Sequence, residues 1–142
     1  MKAEEVITAR GHPLVRALHR STFEVTKEHG LTPGGDCIIA IGADKGAKDL
    51  SPAFRTVLGK ESARLTTLLE CEGHTIEVHS AGGPGISLLH PTDLVWRRSM
   101  FRCDRTIGNN SDVVALTIPR EIIVCLRQGA QISLQLTAEC PD

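Results

Sequence analysis

Two stretches half a chain apart constrain this protein more than any single residue does. Residues 11–27 read GHPLVRALHRSTFEVTK, and residues 82–98 read GGPGISLLHPTDLVWRR. Gly11 meets Gly82, Pro13 meets Pro84, Leu18 meets Leu89 and His19 meets His90, at an offset of 71 in a chain of 142 residues. Asp36 then matches Asp104, Asp44 matches Asp112 and Leu58 matches Leu126, at an offset of 68, because EHGLTPGGD in the first stretch is three residues longer than SMFRCD in the second. Similarity at a fixed period predicts two alike units stacked on one core. The expectation is a single domain over 1–142 made of two tandem copies, about 1–71 and 72–142. A pseudo-two-fold axis would relate them, with any shared site near it. Neither copy buries its apolar face well alone, whereas a chain of about 150 residues buries roughly 70% of its unfolded surface.

Composition removes several function classes. The net charge is −1 and the pI about 6.6, which argues against non-specific duplex binding through many phosphate contacts. Phe23, Phe54, Phe101 and Trp96 are the only aromatic residues, too few for a stacking platform on single-stranded nucleic acid. Cys37, Cys71, Cys103, Cys125 and Cys140 are odd in number and contain no C-x-x-C pair, so the reading is reduced thiols rather than a zinc ribbon. MKAEEVITARGH lacks the apolar stretch of a signal peptide, and nothing approaches the roughly 20 apolar residues of a membrane span. The expectation is a soluble cytoplasmic protein without a membrane partner, its oligomeric state open.

Each half reads in the same order. Short strands are expected at about 4–10 and 74–80, longer ones at 14–27 and 86–98, third ones at 36–43 and 104–108, then a helix, then closing strands at 63–71 and 130–137. In the long strands Val15, Ala17, His19, Ser21, Phe23 and Val25 alternate with Arg16, Arg20, Thr22 and Glu24. Ile86, Leu88, His90, Thr92, Leu94 and Trp96 alternate likewise with Asp93 and Arg97. Ser51-Pro52 reads as an N-cap followed by proline at the first helical position, and Leu50, Phe54, Val57 and Leu58 form an apolar stripe. Ile118, Ile122, Cys125 and Leu126 repeat that spacing. Gly59 and Gly129 suit left-handed helix ends. HGLTPGG (29–35) and AGGPG (81–85) read as turns. The predicted fold is mainly β with two short helices, an internally duplicated antiparallel β-barrel or a jelly-roll-like sandwich.

Several side chains are candidates for chemistry, each with a structural alternative. His19 and His90 sit on the apolar face two residues before Ser21 and Thr92. The symmetry would bring both rings to one cavity as acid and base or as metal ligands; packing against the hydroxyls is the alternative. Asp36 and Asp104 open equivalent strands, to orient the rings, hold a divalent metal, or only shape turns. Asp44-Lys45 resembles the acid and lysine of nuclease sites, but neighbours on a strand face opposite ways, so a solvated turn competes. Arg105 could clamp phosphate or pair with an acid. The segment from Trp96 to Arg105 is the one basic cluster; Arg97 within it could contact phosphate or merely blunt a strand edge. His12, before Pro13, faces away from His19 on a regular strand.

At GHPLVRALHRSTFEVTK, LTPGGDCIIAIGADKGAKDLSP and LLHPTDLVWRRSMFRCDRTIG the chain resembles a small conserved archaeal protein family of unknown function. The resemblance spans nearly the whole chain. It implies a β-rich, jelly-roll-like sandwich, and some members carry an endonuclease label. The chain departs from the family pattern at Gly83, opposite His12, and at Val113, opposite Lys45. With the paired residues, this implies a phosphodiester-acting hydrolase near the repeat axis. His19, His90 and His12 would act as acid–base groups, Asp36 and Asp104 as orienting or metal-holding acids, and Lys45, Arg105 and Arg97 as phosphate ligands. Two other readings stand beside it: a module binding a small anion, RNA or a protein without turnover, and a structural subunit of a larger assembly.

Overall fold

The computed structural model describes residues 1–31 and 35–142. The order is β1 (Lys2–Arg10), β2 (Thr22–Thr26), β3 (Ile38–Ala40), a 3-10 turn (Ala47–Asp49), α1 (Pro52–Leu58) and β4 (Arg64–Cys71). Then come β5 (His74–Ala81), β6 (Asp93–Arg97), β7 (Thr106–Gly108), a 3-10 turn (Ala115–Thr117), α2 (Arg120–Arg127) and β8 (Gln131–Glu139). The strands form two four-stranded sheets, β1-β8-β4-β5 and β3-β2-β6-β7. The first is antiparallel throughout. In the second only the central β2–β6 pair is antiparallel, and β3 and β7 join it in parallel.

The expected closed barrel is not what forms. Among the described residues the sheets are joined only by single bridges, Arg10 with Ile41 and Ala81 with Asn109, and no continuous ladder closes the circuit. The core lies between the sheets. Period-two alternation turns Leu65, Thr67 and Leu69 of β4 inward, as it does Phe23 and Val25 of β2 and Leu94 and Trp96 of β6. Phe23 and Trp96 stack with centroids 4.5 Å apart, and Trp96 Nε1 donates to Thr67 Oγ1 across the core at 2.9 Å. That bond satisfies both buried polar groups.

The long strands expected over 14–27 and 86–98 are also corrected: only Thr22–Thr26 and Asp93–Arg97 are strand. The backbone leaves extended geometry at Ala17 and Leu88, both at φ 53°, which no glycine announces. Val15, Ala17, Ile86 and Leu88 are nevertheless buried, so two ordered loops imitate the alternation of a strand. Part of the turn expected at 29–35 falls on 32–34, outside the described residues.

The helices follow their sequence signals. Ser51 Oγ accepts from Phe54 N at 3.2 Å, and Phe54, Val57 and Leu58 are buried. Ile118, Ile122 and Leu126 do the same for α2, and Cys125 is half-buried. Gly129 has φ 85°. Gly59 does not take the expected left-handed conformation; its φ is −81°, and Ser62 at φ 59° turns the chain instead. α1 packs on β1 and β8, α2 on β4 and β5. No helix among the described residues is long and apolar enough to cross a membrane.

Candidate functional site

The histidines are held by local backbone. His19 Nδ1 accepts from the amides of Ser21 and Thr22, both at 3.1 Å, and lies 3.1 Å from Thr22 Oγ1. His90 Nδ1 accepts from Thr92 and Asp93 at 3.2 and 2.9 Å, and His12 Nδ1 from Leu14 at 3.0 Å. A backbone N–H can only donate, so each Nδ1 keeps its lone pair and the ring hydrogen sits on Nε2. The strand register separates His19 from His90. Thr22 faces Arg97 and Thr26 faces Asp93, so the rings lie beyond opposite ends of the β2–β6 pair rather than together at its centre.

Asp36 and Asp104 work through their backbone. Each carbonyl accepts two amides, from Leu18 and His19 or from Leu89 and His90, and Asp36 Oδ1 lies 3.4 Å from Arg16 Nη1. Asp44 acts as an edge cap: its Oδ1 accepts Thr8 N at 3.0 Å and its own amide donates to Thr8 O. Asp112 treats His79 the same way. Lys45 pairs with Glu5 at 2.7 Å, while the other Glu5 oxygen accepts Ser51 N at 2.6 Å. Burial pushes the Glu5 carboxyl up, but Lys45 and the Ser51 amide outweigh it and hold it below the usual carboxylate range. Asp44 and Lys45 therefore do not converge.

What converges is the outer face of the second sheet. Thr22, Glu24 and Thr26 of β2 lie beside Asp93, Val95 and Arg97 of β6, with Glu24 opposite Val95 at the centre. One guanidinium nitrogen, Arg105 Nη1, donates to Glu24 Oε1 at 3.0 Å and to Asp93 Oδ2 at 3.3 Å. Asp93 Oδ1 accepts the hydroxyls of Thr26 and Thr92 at 2.7 and 2.9 Å. Arg97 donates from Nε to Thr106 Oγ1 at 2.9 Å and from Nη2 to Cys103 Sγ at 3.3 Å. Glu24 is only 4% exposed. Burial first, and then the charge of Asp93, push its carboxyl up to about 7 against the pull of Arg105 and Arg97. Burial also pushes the Cys103 thiol up, but the Arg105 amide, the Thr106 hydroxyl and Arg97 together bring it below the usual thiol range. The cluster reaches solvent through Arg105, whose side chain is 39% exposed.

Arg105 and Arg97 lie on this face with protein partners that sequence reasoning did not select. Alternation placed Glu24 and Asp93 on the same polar faces as Arg97. Glu24 and Arg105 are 81 positions apart, however, and the β2–β6 and β6–β7 pairings together unite them. No group of three or more His, Cys, Asp or Glu side chains is placed to hold a metal among the described residues. All five cysteines are thiols. A cleft of about 580 Å³ lies elsewhere, beside Arg64 and Glu139 at one end of the first sheet. The raised carboxyl of Glu24 points the chemistry to the buried cluster on the second sheet instead.

A family model for a domain of unknown function, DUF371, matches residues 7–139, from within β1 to the end of β8. The chain belongs to the DUF371 family. It is also 38% identical over 133 residues to an uncharacterized protein of the archaeon Methanocaldococcus jannaschii, covering 94% of this chain and 98% of that one. The DUF371 match includes Glu24, Asp93, Arg97 and Arg105 within its span.

Proposed function

We propose that the protein is a phosphodiester-acting hydrolase whose site is the Glu24–Asp93–Arg105 cluster, with nucleic acid as the favoured substrate class. The observation that carries this reading is Glu24, a carboxyl group pushed up to about 7 beside a second carboxylate on a shared guanidinium. A buried carboxyl raised toward neutrality is suited to give up a proton, and a second acid beside it is placed to receive one. Protonated Glu24 would give its proton to the leaving alkoxide oxygen as the P–O bond breaks. Asp93 would take the proton of the attacking water, and Arg105 would turn to a non-bridging phosphate oxygen. His90, with Nε2 3.8 Å from Asp93 Oδ2, positions that acid; His19, His12, Asp36, Asp104 and Lys45 shape the surrounding loops. The reading includes an internally duplicated sandwich with the site on its axis, supported by matching backbone bonds such as Glu24 N to Cys37 O and Val95 N to Arg105 O.

The test is cleavage of a labelled RNA and DNA panel by Glu24→Gln and Asp93→Asn. Each should slow cleavage by about 10²–10⁴-fold, whereas replacing His19 by glutamine should not. Wild-type rates in Glu24→Gln would sink the assignment.

A second reading, a module that binds RNA or a protein without turnover, is favoured by one surface. Phe101 is 61% and Met100 63% exposed, and the Arg97 guanidinium carbon sits 5.0 Å from the Phe101 ring centroid. If it holds, Phe101→Ala weakens RNA or partner binding while no substrate in the panel is cut.

A further inference from the structure

Three of the four aromatic rings lie in the interior: Phe23, Phe54 and Trp96 are fully buried. Phe101 is the exception, 61% exposed in the loop between β6 and β7. A ring left in water by a loose loop would mean little, but this loop is pinned. Asn109 is fully buried; its Nδ2 donates to Ser99 O at 2.9 Å and to Phe101 O at 2.8 Å, and its Oδ1 accepts from Arg102 Nε at 2.7 Å. Arg102 Nη2 donates onward to Gly82 O at 3.1 Å, and Phe101 N donates to Ser99 Oγ at 3.3 Å. The backbone around the ring is therefore fixed before any ligand arrives, which removes an ordering cost from binding.

One side chain ties this ring to the Glu24–Asp93–Arg105 cluster. The Arg97 guanidinium carbon lies over the Phe101 ring, 5.0 Å from its centroid. Arg97 uses Nε on Thr106 Oγ1 and Nη2 on Cys103 Sγ, which fixes its plane and leaves Nη1 without a protein partner among the described residues. The same guanidinium is close enough to pull the Glu24 carboxyl down. A flat apolar surface and an anion site are thus joined through one cation. An apolar protein segment would suit Phe101 and the exposed Met100 but would bring no anion to Arg97, Arg98 and Arg105. A nucleotide brings a flat ring and a phosphate together. In a duplex both faces of each base are stacked, so only an unpaired base has a face to offer.

We propose that Phe101 is a specificity residue of the hydrolase site, an inference that rests on that reading: it stacks one unpaired base, so the substrate is single-stranded nucleic acid and a duplex is refused. Arg97 covers one face of the ring and leaves the other to the base. Its Nη1 meets the phosphate beside that base, and Arg105 meets the one being cut. One ring seats one base, so the contact is local, in keeping with a net charge of −1. Stacking uses the π-face that every base has, so no sequence preference is expected.

The test uses a fluorescein-labelled 12-nucleotide strand, as RNA and as DNA, the same strands annealed to their complements, and a base-free DNA strand of equal length. Anisotropy read before turnover gives binding, and cleavage gives kcat and KM. The single strand should bind at least fivefold tighter than the duplex or the base-free strand. Phe101→Ala should abolish that preference and raise KM about 5–150-fold with kcat unchanged, whereas Phe101→Trp should keep both. Equal binding of single strand and duplex, a preference that survives Phe101→Ala, or no binding to any strand would overturn the proposal. A preference lost in Phe101→Ala with no strand cut would support the base seat and refute the hydrolase reading alone.

Discussion

Several backbone hydrogen bonds of the first half of this chain have counterparts in the second, with different side chains around them. Lys48 N donates to His90 O, and Leu116 N to His19 O; Lys27 N donates to Thr92 O, and Arg98 N to Ser21 O. Beneath this likeness the chemistry diverges. In the first half Glu5, Lys45 and the Ser51 amide form a closed polar set. The corresponding positions in the second half are Ile76, Val113 and Pro119, which are apolar and, at the proline, lack the N–H. Removing acid, base and donor together leaves no unpaired buried group, whereas removing one alone would. The arginines diverge too. Arg55 donates to Leu88 O and Lys48 O at 2.7 and 3.1 Å, and Arg120 donates to Ala17 O and Leu116 O at 3.3 and 3.1 Å. These are matching carbonyls reached from non-matching helix positions. The lesson is that the backbone sets the requirement and several side-chain solutions meet it.

The comparison can be broken first at the core. Phe54 and Ile122 occupy matching helix positions and are both fully buried. Phe54→Ala should cost about 3–5 kcal/mol and Ile122→Ala about 2–5 kcal/mol by denaturant unfolding. A small loss at one site alone would mean that half is not part of the shared core.

Glu24 separates the halves next, because its opposite number is Val95. Its folded pKa of about 7 exceeds the ordinary 4.5, so the native state holds an extra proton between those values. That contribution is fully present below about 4.5 and is lost as pH rises through about 7. Glu24→Gln should flatten this slope and stabilise the protein at pH 8 by up to ~3 kcal/mol. Unfolding curves at a series of pH values check it.

Glu5 has the opposite sign. Its folded carboxyl lies below 4.5, so its stabilisation is present above that value and is lost as pH falls through the folded pKa. Lys45→Met, which strands a carboxylate whose side chain is 8% exposed, should cost about 2–3 kcal/mol. The triple change Glu5→Ile, Lys45→Val, Ser51→Pro imports the second half's solution and should restore most of that loss. If the triple variant is worse than Lys45→Met, the two sets are not interchangeable solutions to one packing problem.

The smallest effect concerns the arginines. Arg55→Ala and Arg120→Ala should each cost about 1–2 kcal/mol, and the double variant should show the sum, since each serves a separate loop. Strong non-additivity would tie the two loops into one unit.

Much of this was legible in the residues. Ser51-Pro52 announced α1, the stripe at Ile118, Ile122 and Leu126 announced α2, and alternation announced the outer strands. The loops over 14–21 and 86–92 were not legible, because their turning points are Ala17 and Leu88 rather than glycines, and their apolar residues are buried in strand-like alternation. His12, His19 and His90 stood out by type and spacing. Their bonds to amides two or three residues on are local backbone geometry, which residue identity alone does not display. Arg97 and Arg105 were legible as members of the one basic cluster. Their convergence with Glu24 and Asp93 required the register of two strands far apart in sequence.

The most direct test of the central claim is a ¹³C NMR titration of the Glu24 side-chain carboxyl in the intact protein. A midpoint near 7 that falls part of the way when Asp93 is replaced by asparagine is the predicted result, since burial raises it first and the charge of Asp93 adds to that. A midpoint near 4.5 would contradict the account: Glu24 would then be an ordinary ion-pair partner of Arg105, and the axis of the β2–β6 pair would hold no acid suited to catalysis near neutral pH.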